Sequence, residues 1–261
     1  MLPDFEMIIH KFPDGKDITI IPIGDVHLGA KECMEQEFIR FIDEVKDRED
    51  LRFVILGDLL NNAVKSSVSN IYDEVIRPAD AKKMMVKILE PIKDKVLCVC
   101  NGNHERRSGK EVDDSPLYDI CAKLDIEELY RENMCFVKLQ FGERNVKGAS
   151  RPTYTLLVAH GAGAGSMTGS SINRNERFAA HVDNLDCMIV GHSHRPAVTQ
   201  PGKIFIDTQN NKVSIKPFKV ITATSWLKTG GYSLQKLLTP TSHVLQTLIL
   251  RGDRKEMVVT M

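Results

Sequence analysis

The chain has 261 residues, 42% hydrophobic and 27% charged, which suits a soluble globular protein with a sizeable buried core. Its 35 basic and 35 acidic residues cancel, so overall charge does not steer it toward nucleic acid or an acidic membrane, although a locally basic groove is compatible with it. The longest apolar runs are strand-sized, which argues against a transmembrane helix. Met1 to Lys11 carries Asp4 and Glu6 and lacks the basic start and apolar run of a secretory signal. The six cysteines (33, 98, 100, 121, 135 and 187) show no CxxC spacing and mostly sit in apolar segments, which reads as reduced core thiols and a cytoplasmic location.

In chain order, Ile18 to Ile23 is an apolar, β-branched run that breaks at Gly24-Asp25, as a strand would. Cys33 to Val45 repeats apolar residues at helical spacing. Arg52 to Leu56 is a second buried strand, ending at Gly57-Asp58. Pro78 to Leu89 reads as a helix with proline at an early position. Val96 to Cys100 is a third strand, ending at Asn101-Gly102-Asn103. Ser115 is placed to cap a short helix, Pro116 to Leu124. Strand and helix alternate through these first 125 residues, so a mainly parallel sheet is expected.

The second half is richer in strands. Cys135 to Phe141, Tyr154 to Val158 and Asp186 to Val190 read as strands, with a helix over Ser171 to His181. Strand-like runs follow at Lys203 to Ile206, Val213 to Ile215, Val220 to Trp226 and Val244 to Leu250. No internal repeat or linker is evident, so one domain over 1–261 is expected. The pattern predicts an α/β fold with two sheets packed face to face and helices outside.

Five short motifs stand out: Gly24-Asp25-Val26-His27, Gly57-Asp58, Gly102-Asn103-His104-Glu105, Ala159-His160-Gly161 and Gly191-His192-Ser193-His194. Several end apolar runs, where loops hold polar groups over a rigid sheet. They hold five of the eight histidines, two aspartates and an asparagine oxygen, enough donors for two metal ions. Mixed nitrogen and oxygen donors suit Mn, Fe or Zn better than Mg or Ca.

This ordered series resembles the calcineurin-like metallophosphoesterase superfamily over about residues 18–226, leaving 227–261 as a strand-rich extension. The resemblance implies a four-layer α/β/β/α sandwich of two mixed sheets. It implies two divalent cations, Mn²⁺ first, with Fe, Zn and Ni as alternatives. Asp25, His27 and His194 would hold one cation and Asn103, His160 and His192 the other, with Asp58 bridging. A hydroxide activated by the two metals would attack a phosphoester in line, and His104 would serve as general acid.

The protein phosphatase branch has a second aspartate three residues after that of GD, paired with the GNHE histidine. Here that place is Asn61, whose amide would orient His104 without stabilising imidazolium as a carboxylate does. That departure favours a phosphodiesterase or nuclease over a phosphomonoesterase, and either over a scaffold that has lost its chemistry. Arg106, Arg107, Asn173 and Arg174 are candidate substrate contacts, on rim loops expected at Asn61 to Asn70, Arg106 to Ser115 and Gly161 to Asn175. The expected partner is a phosphoester, with nucleic acid and nucleotides among the candidates. No membrane partner is expected, and a homodimer is compatible with the sequence.

Overall fold

A computed structural model describes residues 3–65, 67, 71–142, 151–162, 168–235, 239–240 and 242–261. Its first six-stranded sheet is centred on β2 (Ile18–Ile23), β3 (Leu51–Ile55) and β4 (Val96–Cys100), with the two-residue β5 (Tyr130–Arg131) at one edge. These four strands are parallel. Every residue of β4 is buried, as expected of a parallel strand covered on both faces. The C-terminal extension completes this sheet: β13 (Thr247–Leu250) pairs antiparallel with β2, and β14 (Met257–Thr260) pairs with β13.

The second sheet has the order β1 (Met7–Phe12), β6 (Met134–Phe141), β7 (Thr153–Ala159), β8 (Cys187–Val190), β12 (Lys219–Thr222) and β9 (Ala197–Thr199). It is mixed, with parallel β7, β8 and β12 beside the antiparallel pair β6–β7. Its residues alternate in destination. Leu156, Val158, Cys187 and Ile189 enter the large core shared with the first sheet, while Leu157, Met188, Val190 and Val220 form a second cluster.

Helix α5 (Thr168–Ala180) covers that second cluster through Ala179. On the first sheet, α1 (Glu35–Val45), α2 (Pro78–Leu89) and α4 (Pro116–Lys123) bury Phe38, Ile42, Met85, Ile88 and Ile120 in the large core. The layers are therefore α/β/β/α, as expected. A separate antiparallel ribbon, β10 (Gly202–Asp207) with β11 (Lys212–Pro217), belongs to neither sheet. Helices α3 (Glu105–Val112) and α6 (Gly231–Gln235) are the other α-helices among the described residues. Among the described residues, no helix is long and apolar enough to cross a membrane.

Several local expectations need correction. The helix expected from Cys33 starts at Glu35. Ser115 occupies the N-cap position of α4, but its side chain makes no capping bond. The strand expected over Val220 to Trp226 ends at Thr222, and Trp226 packs beyond it against Phe38 and Phe41. Residues 106–112, expected to be a rim loop, lie within α3. Parts of the other two expected rim loops, residues 66, 68–70 and 163–167, lie outside the described residues.

Candidate metal centre

The loops leaving β2, β3, β4, β7 and β8 meet at one end of the two sheets. Backbone bonds tie them together. Asp25 N–H donates to the Gly57 carbonyl at 3.1 Å, His27 N–H to that of Asp58 at 2.9 Å, and Gly191 N–H to that of His160 at 3.0 Å. Gly57 adopts φ +80°, and a Cβ there would collide with the backbone of Gly102. A Cβ on Gly102 would in turn strike Asp58. Both glycines allow an approach that side chains would prevent.

Five donor residues are themselves in the left-handed region: Asp25, His27, Asp58, His192 and His194, with φ between 50° and 66°. This conformation costs about 1 kcal/mol or more for a residue bearing a Cβ. Such strain persists only where the surrounding fold over-determines it, and it collects at functional sites.

Among the described residues, three overlapping groups of side chains could each hold a metal ion. They are Asp25–His27–His194, His27–Asp58–His104 and Asp58–His160–His192, each with donor atoms within 4.8 Å of one another. His194 Nε2 lies 3.1 Å from Asp25 Oδ1 and 3.2 Å from His27 Nε2. His160 Nε2 lies 2.8 Å from Asn103 Oδ1, 3.1 Å from His192 Nδ1 and 3.3 Å from Asp58 Oδ2. Asp58 Oδ2 is also 3.8 Å from His27 Nε2, so this carboxylate faces both sides of the cluster.

The tautomer of His160 follows from its other nitrogen. Nδ1 is 2.7 Å from the Leu56 carbonyl, which can only accept, so Nδ1 carries the hydrogen. In the neutral imidazole, Nε2 then presents a lone pair toward the oxygens of Asn103 and Asp58. Converging acceptors repel unless a cation sits among them, so the donor set suits a divalent metal. A carbonyl behind a ligating imidazole is the usual outer support of such sites.

Burial and charge set the electrostatics. Burial alone would raise the Asp58 carboxyl, yet the imidazoles of His160, His104 and His27 hold it well below the usual carboxylate range. Burial opposes charge on His160, but Asp58 and Asp25 outweigh it and push that pKa up to about 9. These two carboxylates thus draw positive charge to this position. Burial lowers His27 well below the usual imidazole value, and His104 and His194 add to that shift.

Glu105 is fully buried and accepts the backbone N–H groups of Asp58 at 2.9 Å and Leu60 at 3.0 Å. Burial, and after it the Asp58 charge, push its pKa up to about 7. Its role is to fix the Asp58 loop. Asn62, which the sequence reading passed over, is buried and binds the His104 carbonyl and Ser108, clamping the start of α3. Its only sequence signal is the Asn61-Asn62 doublet.

His104 departs from expectation. Its Nδ1 lies 2.7 Å from the backbone carbonyl of Asn61. The Asn61 side chain turns away, and its Nδ2 donates to Glu74 at 2.8 Å. The amide of Asn61 therefore does not orient His104, because Glu74 holds it. On the other nitrogen, Arg107 Nη2 lies 2.9 Å from His104 Nε2. Burial lowers the His104 pKa, and Arg107 lowers it further against the pull of Asp58.

The candidate substrate residues divide. Arg107 is beside His104, but Arg106 binds Glu132 and the Asn101 carbonyl instead. A guanidinium anchored in this way is not free for phosphate. Arg174 is exposed on α5 and donates to the Ala162 carbonyl, just past His160, with exposed Asn173 beside it.

No curated protein matches the chain. Among solved structures, the NAD nucleotidase of Haemophilus influenzae (NadN) is similar, with 12% identity and a TM-score of 0.44. The match covers 94% of this chain and 49% of that one, so this chain spans about half of its length. The family model for calcineurin-like phosphoesterases matches residues 18–196, well over half of the chain and all of the donor residues above. The chain belongs to that family.

Proposed function

We propose that the protein is a phosphodiesterase with a dinuclear metal centre, acting on nucleic acid or a nucleotide. The observation that carries the dinuclear reading is Asp58, whose Oδ2 faces His27 on one side and His160 on the other. Asp25, His27 and His194 would hold one cation, and Asn103, His160 and His192 the other. When bound, two divalent cations supply a nucleophile usable at neutral pH and neutralise phosphate oxygens. Manganese is the first choice, with iron, zinc and nickel as alternatives, on the mixed donor set.

The chain's own groups do the rest. His104 stands at the opening of the site, with 16% of its side chain exposed. Arg107 caps its Nε2, which keeps the imidazole neutral until substrate arrives. An incoming phosphate draws the guanidinium onto its oxygens, since an arginine fork suits them. Nε2 is then free to take the proton that the attacking water gives up and to pass it to the departing oxygen. The preference for a diester rests on the support behind His104. It is a peptide carbonyl, which cannot stabilise imidazolium as a carboxylate would.

The test is hydrolysis of an aryl phosphodiester beside its monoester analogue. Protein is stripped of metal and reloaded with Mn²⁺, with Asp58→Asn as control. Metal-dependent cleavage of the diester, lost in the variant, is the expected result. Cleavage of the monoester alone would overturn the diester reading. Failure to cleave either, with metal bound, would favour a scaffold.

A further inference from the structure

Among the described residues, the β10–β11 ribbon carries the most exposed apolar surface with a regular pattern. Its register pairs Ile204 with Ile215 and Ile206 with Val213. Directly paired residues point to the same side, so these four side chains share one face. They are 76%, 73%, 67% and 70% exposed, in that order. The opposite face is polar and engaged. The Lys216 ammonium lies 3.1 Å from the centre of the Phe205 ring and covers it. Lys203 reaches the Val182 carbonyl and lies 5.5 Å from the Phe218 ring. Lys203 thus ties the start of the ribbon to the body, and its aliphatic face stays open.

An isolated two-stranded ribbon is marginal in water, and exposed strands usually carry charge to prevent association. This face carries none. Its four side chains leave roughly 500 Å² of contiguous apolar surface bare, at the size that marks an interaction site. At its base, Ile215 also edges a cleft of about 610 Å³ whose walls include Leu185, Phe218 and Met257.

We infer that this face is the contact between two copies of the chain, stacked face to face about a two-fold axis. An isologous contact needs a patch that matches itself, and this one presents only aliphatic side chains on both strands, Ile204 and Ile206 beside Ile215 and Val213. With no charge on it, the face offers nothing to a charged partner. The lysines at 203, 212 and 216 lie on the other side and do not oppose one another across the contact. Two such faces bury about 1,000 Å², the lower end of a specific interface. The ribbon leaves β9 and enters β12 at the end of the sheet opposite the metal donors, so pairing leaves the site open.

Sedimentation velocity tests this on the full chain, the double variant Ile206→Lys/Ile215→Lys, and Lys212→Glu as a control on the other face. We expect twice 29.3 kDa for wild type and Lys212→Glu at tens of micromolar, as an interface of this area supports about micromolar affinity. The double variant should sediment as a single chain, with unchanged circular dichroism and unchanged metal-dependent hydrolysis per chain. A wild type of single-chain mass up to roughly 100 μM would overturn the inference. So would a double variant that stays paired, or a control that falls apart equally.

Discussion

The backbone carbonyl of Asn61 holds His104, at 2.7 Å from Nδ1, while the side chain of the same residue is held by Glu74. Glu74 also accepts the Ala63 N–H at 3.0 Å, so one carboxylate fixes the segment that presents the carbonyl. A carboxylate at position 61 would therefore face Glu74 rather than His104. Asn61→Asp should set two carboxylates against each other and lower stability by about 1–3 kcal/mol, seen as a lower thermal midpoint. Hydrolysis of a monoester should not rise. A gain in monoester cleavage would show that the new side chain had turned to His104.

Arg106 and Arg107 are adjacent in sequence but engaged differently, so their variants should separate. Arg107→Ala should lower kcat/KM by about tenfold or more, because it removes the guanidinium beside His104. Arg107→Lys should restore only part, since an ammonium lacks the planar fork. Arg106→Ala should leave kcat/KM within about twofold, because that side chain is spent on Glu132 and Asn101. Equal losses from both variants would place Arg106 in the site as well.

The donor residues were legible because metal chemistry restricts side-chain type, and because Asp25, Asp58 and Asn103 each follow a run of apolar, β-branched residues. The contacts of Asn61 were not, since they depend on Glu74, thirteen residues downstream in a segment without periodicity. Helix α3 was hidden by Gly109 and by its polar run ERRSGKEV, and tertiary contacts at Asn62 and Glu105 override weak propensity there. Strands β1 and β14 are edge strands with little buried surface, so no alternation announced them. The runs of β10 and β11 read correctly as strands. Their separation from both sheets is a matter of pairing, which local pattern does not encode.

Metal should stabilise the fold through Asp58. Ligand binding to the native state adds about 2.7 kcal/mol at a concentration one hundred times Kd. A chelator should therefore lower the thermal midpoint of wild type by several degrees. Asp58→Asn should respond much less, because it weakens the side chain that faces both donor sets. Elemental analysis of the two proteins supplies the companion readout. An equal chelator response in both would remove Asp58 from metal binding.

His10 on β1 provides a pH signature remote from the metal donors. Its Nε2 lies 2.8 Å from the Leu97 carbonyl, and burial lowers its pKa below 6.5 against that hydrogen bond, with the Arg52 charge adding to the shift and Glu128 opposing it. The folded protein therefore binds fewer protons at this position than the unfolded chain between the folded value and 6.5. Where the unfolded state binds more protons, stability rises with pH. His10 thus costs nothing above 6.5, and stability is lost as pH falls from there toward the folded value. His10→Gln keeps an N–H donor for Leu97 and removes the titration. Denaturant unfolding at saturating metal, from pH 5 to pH 8, should show a shallower loss on the acid side for the variant. Parallel curves for the two proteins would mean that the imidazole is protonated equally in both states.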